Sequence, residues 1–256
     1  MTSEARTVSE ALARAGVPHD AVLFVHSAFR RLGAQGFRVD AFIEALLDYM
    51  RDGTLVMPTM TWRVVTTAQP VFDELATISH VGVVPERFRI AYATHRSLHP
   101  THSVAAYGKL AASLTSGHHL DGTPCSLNSP YGRARSEDAH VLLLGIGLER
   151  CTAIHHAEEI AAPDVYLVPS QTAADFELRA RDGAVHRMRL RGHTKLNRDF
   201  PQFAKPLTER GLMRHGDMAG TPWQAVAQSD LLTEVFAALE RDPRAIIAPP
   251  GAPVIP

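Results

Sequence analysis

The stretch CTAIHHAEEIAA, Cys151 to Ala162, sets two adjacent histidines and two adjacent carboxylates on one short predicted helix. Each helical residue turns about 100°. Ala153, Ile154, Ala157, Ile160 and Ala161 therefore share a broad apolar face, and His155 points almost directly away from it. Thr152, Glu158 and Glu159 lie one turn from His155 and flank it. His156 sits at the edge of the apolar stripe. A carboxylate beside an imidazole fixes its tautomer and stabilises its protonated form, which makes a general base competent near neutral pH. Spacing alone leaves three readings open: a base with its partner, a metal site, or a solvated helix face. Metal has the least support, because the helical H-E-x-x-H pattern is absent.

Other residues with chemical capacity are scattered. The chain has 14 histidines, many of them in its middle third. His99 and His102 read as structural, and His118 and His119 as solvated loop residues. Cys125 has no partnered base in sequence, so it and Asp121 read as structural. Asp73 and Glu74 fall in a long aperiodic stretch, 63–80, where they can meet a cation. The cysteines are only two, Cys125 and Cys151, which suits a reducing, cytoplasmic setting.

The elements that must position these residues follow from periodicity. AVLFVHS (21–27) and TLVMPTMTW (54–62) read as strands around the helix VDAFIEALLDYM (39–50), a βαβ unit with parallel pairing. HVLLLGIG (140–147) is the clearest buried strand, and it delivers the Cys151 helix from its carboxyl end, the edge where open α/β sheets bind ligands. A helix is expected over 7–17 with Ser9 as its cap, and another over 81–92. THSVAAYG (101–108) reads as a strand or turn, with a helix after it. DFELRARDGAVHRMRLRG (175–192) alternates about an RDGA turn and reads as an antiparallel hairpin. Beyond it come a helix near 200–210, a turn-rich stretch to Trp223 and a final helix, LLTEVFAALERD. No repeat or linker breaks the chain, so residues 1–256 are expected to form a single mixed α/β domain: a largely parallel sheet flanked by helices, plus the C-terminal hairpin.

Composition excludes several classes. With 45% hydrophobic and 21% charged residues and a net charge of −1, the chain has no basic excess for nucleic acid or a membrane surface. It has no signal-peptide pattern at its N-terminus and no apolar run near the roughly 20 residues that span a bilayer.

Several stretches, in order, resemble one family. CTAIHHAEEIA resembles the T-x-x-H-x-A-E segment of the aminoglycoside 3-N-acetyltransferases, the antibiotic N-acetyltransferases. LFVHSAFRRLG (23–33), RSLHPTHSVAAYG (96–108), SPYGRA (129–134) with HVLLLGIG, and LMRHGDMAG (212–220) are similar to further segments of it. The resemblance covers roughly residues 20–240. It implies an α/β fold distinct from the common GNAT acetyltransferases. It also implies metal-free acyl transfer from acetyl-CoA to an amine in a ternary complex, with His155 as base and Glu158 polarising it. Thr152, or backbone N–H groups near Ser27 or Ser103, would meet the oxyanion. CoA would lie along Ser27, Ala28, Phe29 and Arg30 and along Arg96, Ser97, Ser103 and Val104. Trp62, Asp73 and Glu74 are the residues expected at the acceptor. The expected partners are a small-molecule amine and, beyond that, only a second copy of the chain in a homodimer.

One departure bears on the acceptor. Drug-modifying members are expected to carry an acidic segment in the C-terminal third, but RGHTKLNRDFPQFAKPL (191–207) is net basic. Acylation of a non-aminoglycoside amine therefore stays open. Two rival readings are a metal-dependent amide hydrolase using His99, His102, His155 and Glu158, and a CoA-binding protein without catalysis.

Overall fold

The apolar run at 22–27 becomes the middle of a sheet in the computed structural model, which describes residues 2–252. The first half contains α1 (Ser3–Ala15), β1 (Val22–Ser27), α2 (Arg30–Ala34), α3 (Val39–Tyr49), β2 (Thr54–Pro58), β3 (Val71–Asp73), α4 (Val83–Ala91), β4 (His95–Arg96), β5 (Val104–Gly108) and α5 (Ala111–Thr115). The second half contains α6 (Pro130–Arg133), β6 (Ala139–Leu144), α7 (Ala153–Ala161), α8 (Pro163–Tyr166), β7 (Ala174–Arg179), β8 (Val185–Leu190), α9 (Ala204–Glu209), β9 (Met213–Met218), β10 (Thr221–Ala227) and α10 (Gln228–Arg241).

The larger sheet runs β4-β5-β2-β1-β6-β10-β9. β1 pairs in parallel with β2 and with β6, in the βαβ arrangement expected from residues 21–62. The parallel part is narrower than the sequence suggested. β5, β4, β10 and β9 all pair antiparallel and extend the sheet on both sides. Short returns join β4 to β5 and β9 to β10, whereas β5 and β10 come back beside β2 and β6 after long excursions of the chain.

Both faces of β1 are covered, which explains its unbroken apolar run. Val22 and Phe24 join a core with Val141, Leu143, Ile154, Ala157, Leu231 and Val235, so α7 and α10 lie on that face. Leu23 and Val25 point the other way into a core with Val8, Leu12, Phe42, Ile43, Leu46 and Phe88, from α1, α3 and α4. Each such large apolar side chain contributes about 1.5–3 kcal/mol on burial.

Further differences from the sequence reading have local causes. α1 begins earlier than expected, because the Thr2 hydroxyl, not Ser9, caps it by accepting from the Ala5 N–H. The hairpin of β7 and β8 forms as expected but stands off the main sheet, pairing with β3 over a small core of Val65, Phe72, Phe176, Leu178, Met188 and Leu190. The stretch read as turn-rich, 211–223, contains instead a second hairpin, β9–β10. Its loop is Ala219-Gly220, with φ of 47° and 77°. Positive φ at both positions is a type I′ turn, and Ala-Gly is a weak signal for it beside Asn-Gly.

Candidate active site

β1 and β6 end side by side, at Ser27 and Leu144. The Ala28 N–H donates to the Leu144 carbonyl, which fixes the turn after β1. A cleft of about 740 Å³ opens at this edge and is lined by Val25 to Arg30, Trp62, Arg63, His80, Arg150 and Thr152, among others. Ser27 presents a buried hydroxyl without a hydrogen-bond partner among the described residues. His26 behind it is 7% exposed, and burial pushes its pKa down to about 4. A second cleft of about 450 Å³ is lined by Glu149, His155, Lys195, Leu196, Asn197, Arg198 and Phe200. Thr152 lines the first cleft and His155 the second, so the two spaces approach one another at the start of α7.

His155 and Glu158 meet as the helix spacing allows. The Nδ1–H of His155 donates to Glu158 Oε2 at 2.7 Å. A residue not singled out as a partner joins them: Arg198 Nε reaches both Glu158 oxygens, at 2.8 and 3.1 Å. Arg198 is itself held, since Nη1 donates to the carbonyls of Thr194 and Leu196. Glu158 has no exposed surface. Burial raises its pKa, but His155 and then Arg198 outweigh burial, and the carboxyl sits below its usual value. It is therefore an anion at neutral pH. With Nδ1 engaged, Nε2 is the nitrogen of His155 left to exchange a proton.

The helix face expected to be apolar is only partly so. His156, Glu158 and Glu159 are buried, while Ile160 is 39% exposed. Each of these buried polar residues has at least one partner from another part of the chain. His156 Nδ1 donates to the Cys125 carbonyl at 2.7 Å, a structural contact on the far side from His155. Glu159 Oε1 accepts from the Cys125 N–H and from His193 Nε2, both at 2.7 Å. Burial raises the Glu159 carboxyl to about 7, against the opposing bonds from Thr123 and Cys125.

The His193 ring stacks on that of His155, with centroids 4.4 Å apart, and its edge meets His102 at 5.2 Å. His102 contacts His99, and His99 lies 4.4 Å from His118. Burial first, and neighbouring imidazoles second, hold His99 and His102 well below their ordinary pKa. His193 is lowered likewise. His118 is a correction: it is fully buried, bonded to Ser97 Oγ and the Pro124 carbonyl, and not a solvated loop residue.

The remaining expected residues divide. Ser27, Ala28, Phe29, Arg30, Trp62 and Thr152 all line the larger cleft. Arg63 and Arg150 join Arg30 there as cations that the sequence reading did not single out. Arg96, Ser97, Ser103 and Val104 do not line either cleft. Arg96 is turned inward, donating to the carbonyls of Glu74, Thr77 and Thr59 and to Ser103 Oγ. Ser97 Oγ accepts from the Val104 N–H, and Ser103 Oγ donates to the Thr59 carbonyl. These four residues are spent on tying β4 and β5 to their surroundings. Asp73 and Glu74 are also committed elsewhere. Asp73 Oδ1 accepts from the N–H groups of Leu75 and Ala76, and the 6%-exposed Glu74 pairs with Arg181 at 2.6 Å.

The molecule is thus a mixed α/β protein in which a histidine held by a buried carboxylate borders one of two neighbouring clefts. The family model described as aminoglycoside 3-N-acetyltransferase matches residues 24–240, and the chain belongs to that family. It is 29% identical over 236 residues to aminoglycoside N(3)-acetyltransferase IV from Salmonella sp, covering 92% of this chain and 87% of that one. It is 29% identical over 163 residues to aminoglycoside N(3)-acetyltransferase III from Pseudomonas aeruginosa, covering 57% of this chain and 60% of that relative's length. Among solved structures, a histidine-to-alanine mutant of aminoglycoside acetyltransferase AAC(3)-IVa in complex with a gentamicin superposes with a TM-score of 0.79. That match is at 27% identity, over 97% of this chain and 92% of the other.

Proposed function

We propose that the chain is an acetyl-CoA-dependent N-acetyltransferase acting on an amino group of an aminoglycoside or a similar amino-containing antibiotic. The observation that carries this reading is the oriented His155–Glu158 pair, with Nε2 left for the substrate, where the two clefts approach one another. An alkylammonium of pKa near 10 is not a nucleophile until it loses a proton. His155 Nε2 accepts that proton, and Glu158, locked by Arg198, stabilises the resulting imidazolium. The amine nitrogen attacks the thioester carbonyl, and the Thr152 hydroxyl at the junction is the proposed donor to the oxyanion. Collapse breaks the C–S bond: one proton reaches the departing CoA sulfur from His155, and the second proton that the acylated nitrogen sheds is passed through the same imidazole to solvent. No acyl-enzyme is needed.

In this reading CoA occupies the larger cleft, on the Ser27–Arg30 turn, with Arg30, Arg63 and Arg150 facing its phosphates. The acceptor enters the smaller cleft, where Glu149 can meet an ammonium, and Trp62 borders the donor side. The 256 residues act as one domain, in the cytoplasm, where CoA is available and the free thiols of Cys125 and Cys151 persist. Among the described residues no helix is long and apolar enough to cross a membrane. In this reading every proposed site residue comes from one chain, and a homodimer would carry two such sites.

A second reading has its own observation. Lys195 and Arg198 line the acceptor cleft, and Asp73 and Glu74 are occupied elsewhere, so a polycation gains little there. That favours a less cationic amine. Thiol release from acetyl-CoA, screened over aminoglycosides and over other amines, separates the readings. Release with aminoglycosides supports the first, and release only with other amines the second. Background rates with every amine overturn both.

A further inference from the structure

Behind His155 lies a cluster that the acyl-transfer chemistry does not use. Cys125, Glu159 and His193 bring a thiol, a carboxylate and an imidazole nitrogen within 4.8 Å of one another. Cys125 has no exposed surface and Glu159 is 6% exposed. Glu159 Oε1 is occupied by the Cys125 N–H and by His193. Oε2 is buried and makes no hydrogen bond among the described residues, although the Thr123 hydroxyl is close enough to favour the charged form. A buried carboxylate, a buried thiol and an imidazole nitrogen thus meet in one spot, a donor set of three chemistries. The Cys125 thiol has only a 4.0 Å contact to the Thr152 carbonyl.

We propose that Cys125, Glu159 and His193 form an inhibitory binding site for a zinc-class divalent cation. Sulfur, carboxylate and imidazole ligands together suit zinc or cobalt better than magnesium or calcium, which prefer oxygen alone. Ligand atoms around tetrahedral zinc lie roughly 3.3–3.8 Å apart, given the usual bond lengths. Reaching that means opening the His193 Nε2–Glu159 Oε1 pair from 2.7 Å, with all three ligand atoms already inside a 4.8 Å span. Charge also balances: one thiolate and one carboxylate neutralise a divalent cation in a buried setting, with His193 contributing a neutral lone pair. Binding releases the Cys125 proton, and one from Glu159 where that carboxyl is protonated. The fourth position is left to water. His193 has the most exposed side chain of the three, at 11%, and lies against His155, so it marks the way in. The inhibitory part of the proposal rests on His155 acting as the base. A metal on His193 replaces its bond to Glu159 and shifts the ring that packs on His155.

Cobalt titration of the reduced protein tests the site without reference to activity. We expect one equivalent to bind, with a near-ultraviolet thiolate-to-cobalt charge-transfer band and displacement by zinc. Cys125→Ser abolishes the band, His193→Ala weakens cobalt binding at least ~10-fold, and Cys151→Ser keeps the band. Circular dichroism of each variant confirms that it folds, and His193→Ala, at a partly exposed position, stands in if Cys125→Ser does not. No band in the wild-type protein, or a band that survives Cys125→Ser, overturns the site. Where a turnover assay exists, zinc should lower the rate at least ~10-fold, reversibly by chelation. A band without inhibition keeps the site and overturns its link to catalysis. A protein that acetylates no amine yet shows the band refutes the proposed function and not the metal site.

Discussion

An imidazole and a guanidinium converge on one buried carboxylate at Glu158, and that shapes what each side chain does. A lone buried carboxylate would take up a proton, and a carboxylic acid cannot stabilise an imidazolium. His155 supplies charge only when protonated, whereas Arg198 supplies it always. In the proposed mechanism Arg198 keeps Glu158 ionised before His155 takes the substrate's proton. His155→Ala should lower kcat by about 10²–10⁴-fold, the usual scale for a general base. Glu158→Gln keeps the volume but removes the charge, and a loss of about 10-fold or more in kcat with little change in KM is expected. Arg198→Gln makes the sharper prediction. Without the guanidinium the Glu158 pKa rises, so the acid limb of the kcat/KM profile moves to higher pH. An unchanged limb in a folded variant would show that Arg198 only braces the 193–200 segment.

The helix that carries these groups was legible in sequence as a helix; spacing set both Glu158 and Glu159 within reach of His155, and only the family resemblance chose Glu158. The helix's burial pattern was not legible. Amphipathic spacing assumes that polar residues face water, but Glu158 and Glu159 are buried because Arg198, His193 and the Cys125 N–H reach them from elsewhere. Arg198 stands 40 residues from Glu158, and nothing in local spacing connects them. The Ser97 and Ser103 hydroxyls are held inward for a related reason: a hydroxyl near a strand end suits a ligand and a backbone group equally, and here the Val104 N–H and the Thr59 carbonyl engage them. Strands with both faces covered, β1 and β6, were the most readable, while β9 and β10 hid behind the Ala219-Gly220 turn. That turn supports a test of its own. Ala219 holds φ of 47°, a region that costs a residue with a Cβ about 1 kcal/mol or more and that asparagine tolerates better. Ala219→Asn should raise the urea midpoint, equivalent to ~0.5–1 kcal/mol, and Ala219→Val should lower it. No gain from asparagine would mean that the strand register, not the turn, sets the stability of this hairpin.

Across the whole molecule the dominant electrostatic feature is neutral imidazole in the interior. His26 and His118 are pushed to about 4 by burial, and His99, His102 and His193 well below their ordinary value. In the unfolded chain each takes up a proton near pH ~6.5. Below that the unfolded state binds more protons than the folded one, so stability falls as pH falls. For His26 and His118 the contribution is intact above about 6.5 and is lost down to about 4. Each costs up to ~1.4 kcal/mol per pH unit across that window. Glu159 runs the other way. Its folded value of about 7 exceeds the ordinary 4.5, so its contribution is present below 4.5 and is lost as pH rises through 7. One carboxyl cannot offset five imidazoles, and Glu158, lowered in the folded state, adds to the loss below 4.5. Thermal unfolding followed from about pH 8 to pH 4 should show a Tm that is level above about 7 and drops steeply below about 6.5. Replacing His118 by Gln, which keeps one donor and one acceptor for Ser97 and the Pro124 carbonyl, should flatten the drop by about one proton's worth. A Tm constant down to about pH 5 would mean that these imidazoles are hydrated and that the histidine row is open to solvent.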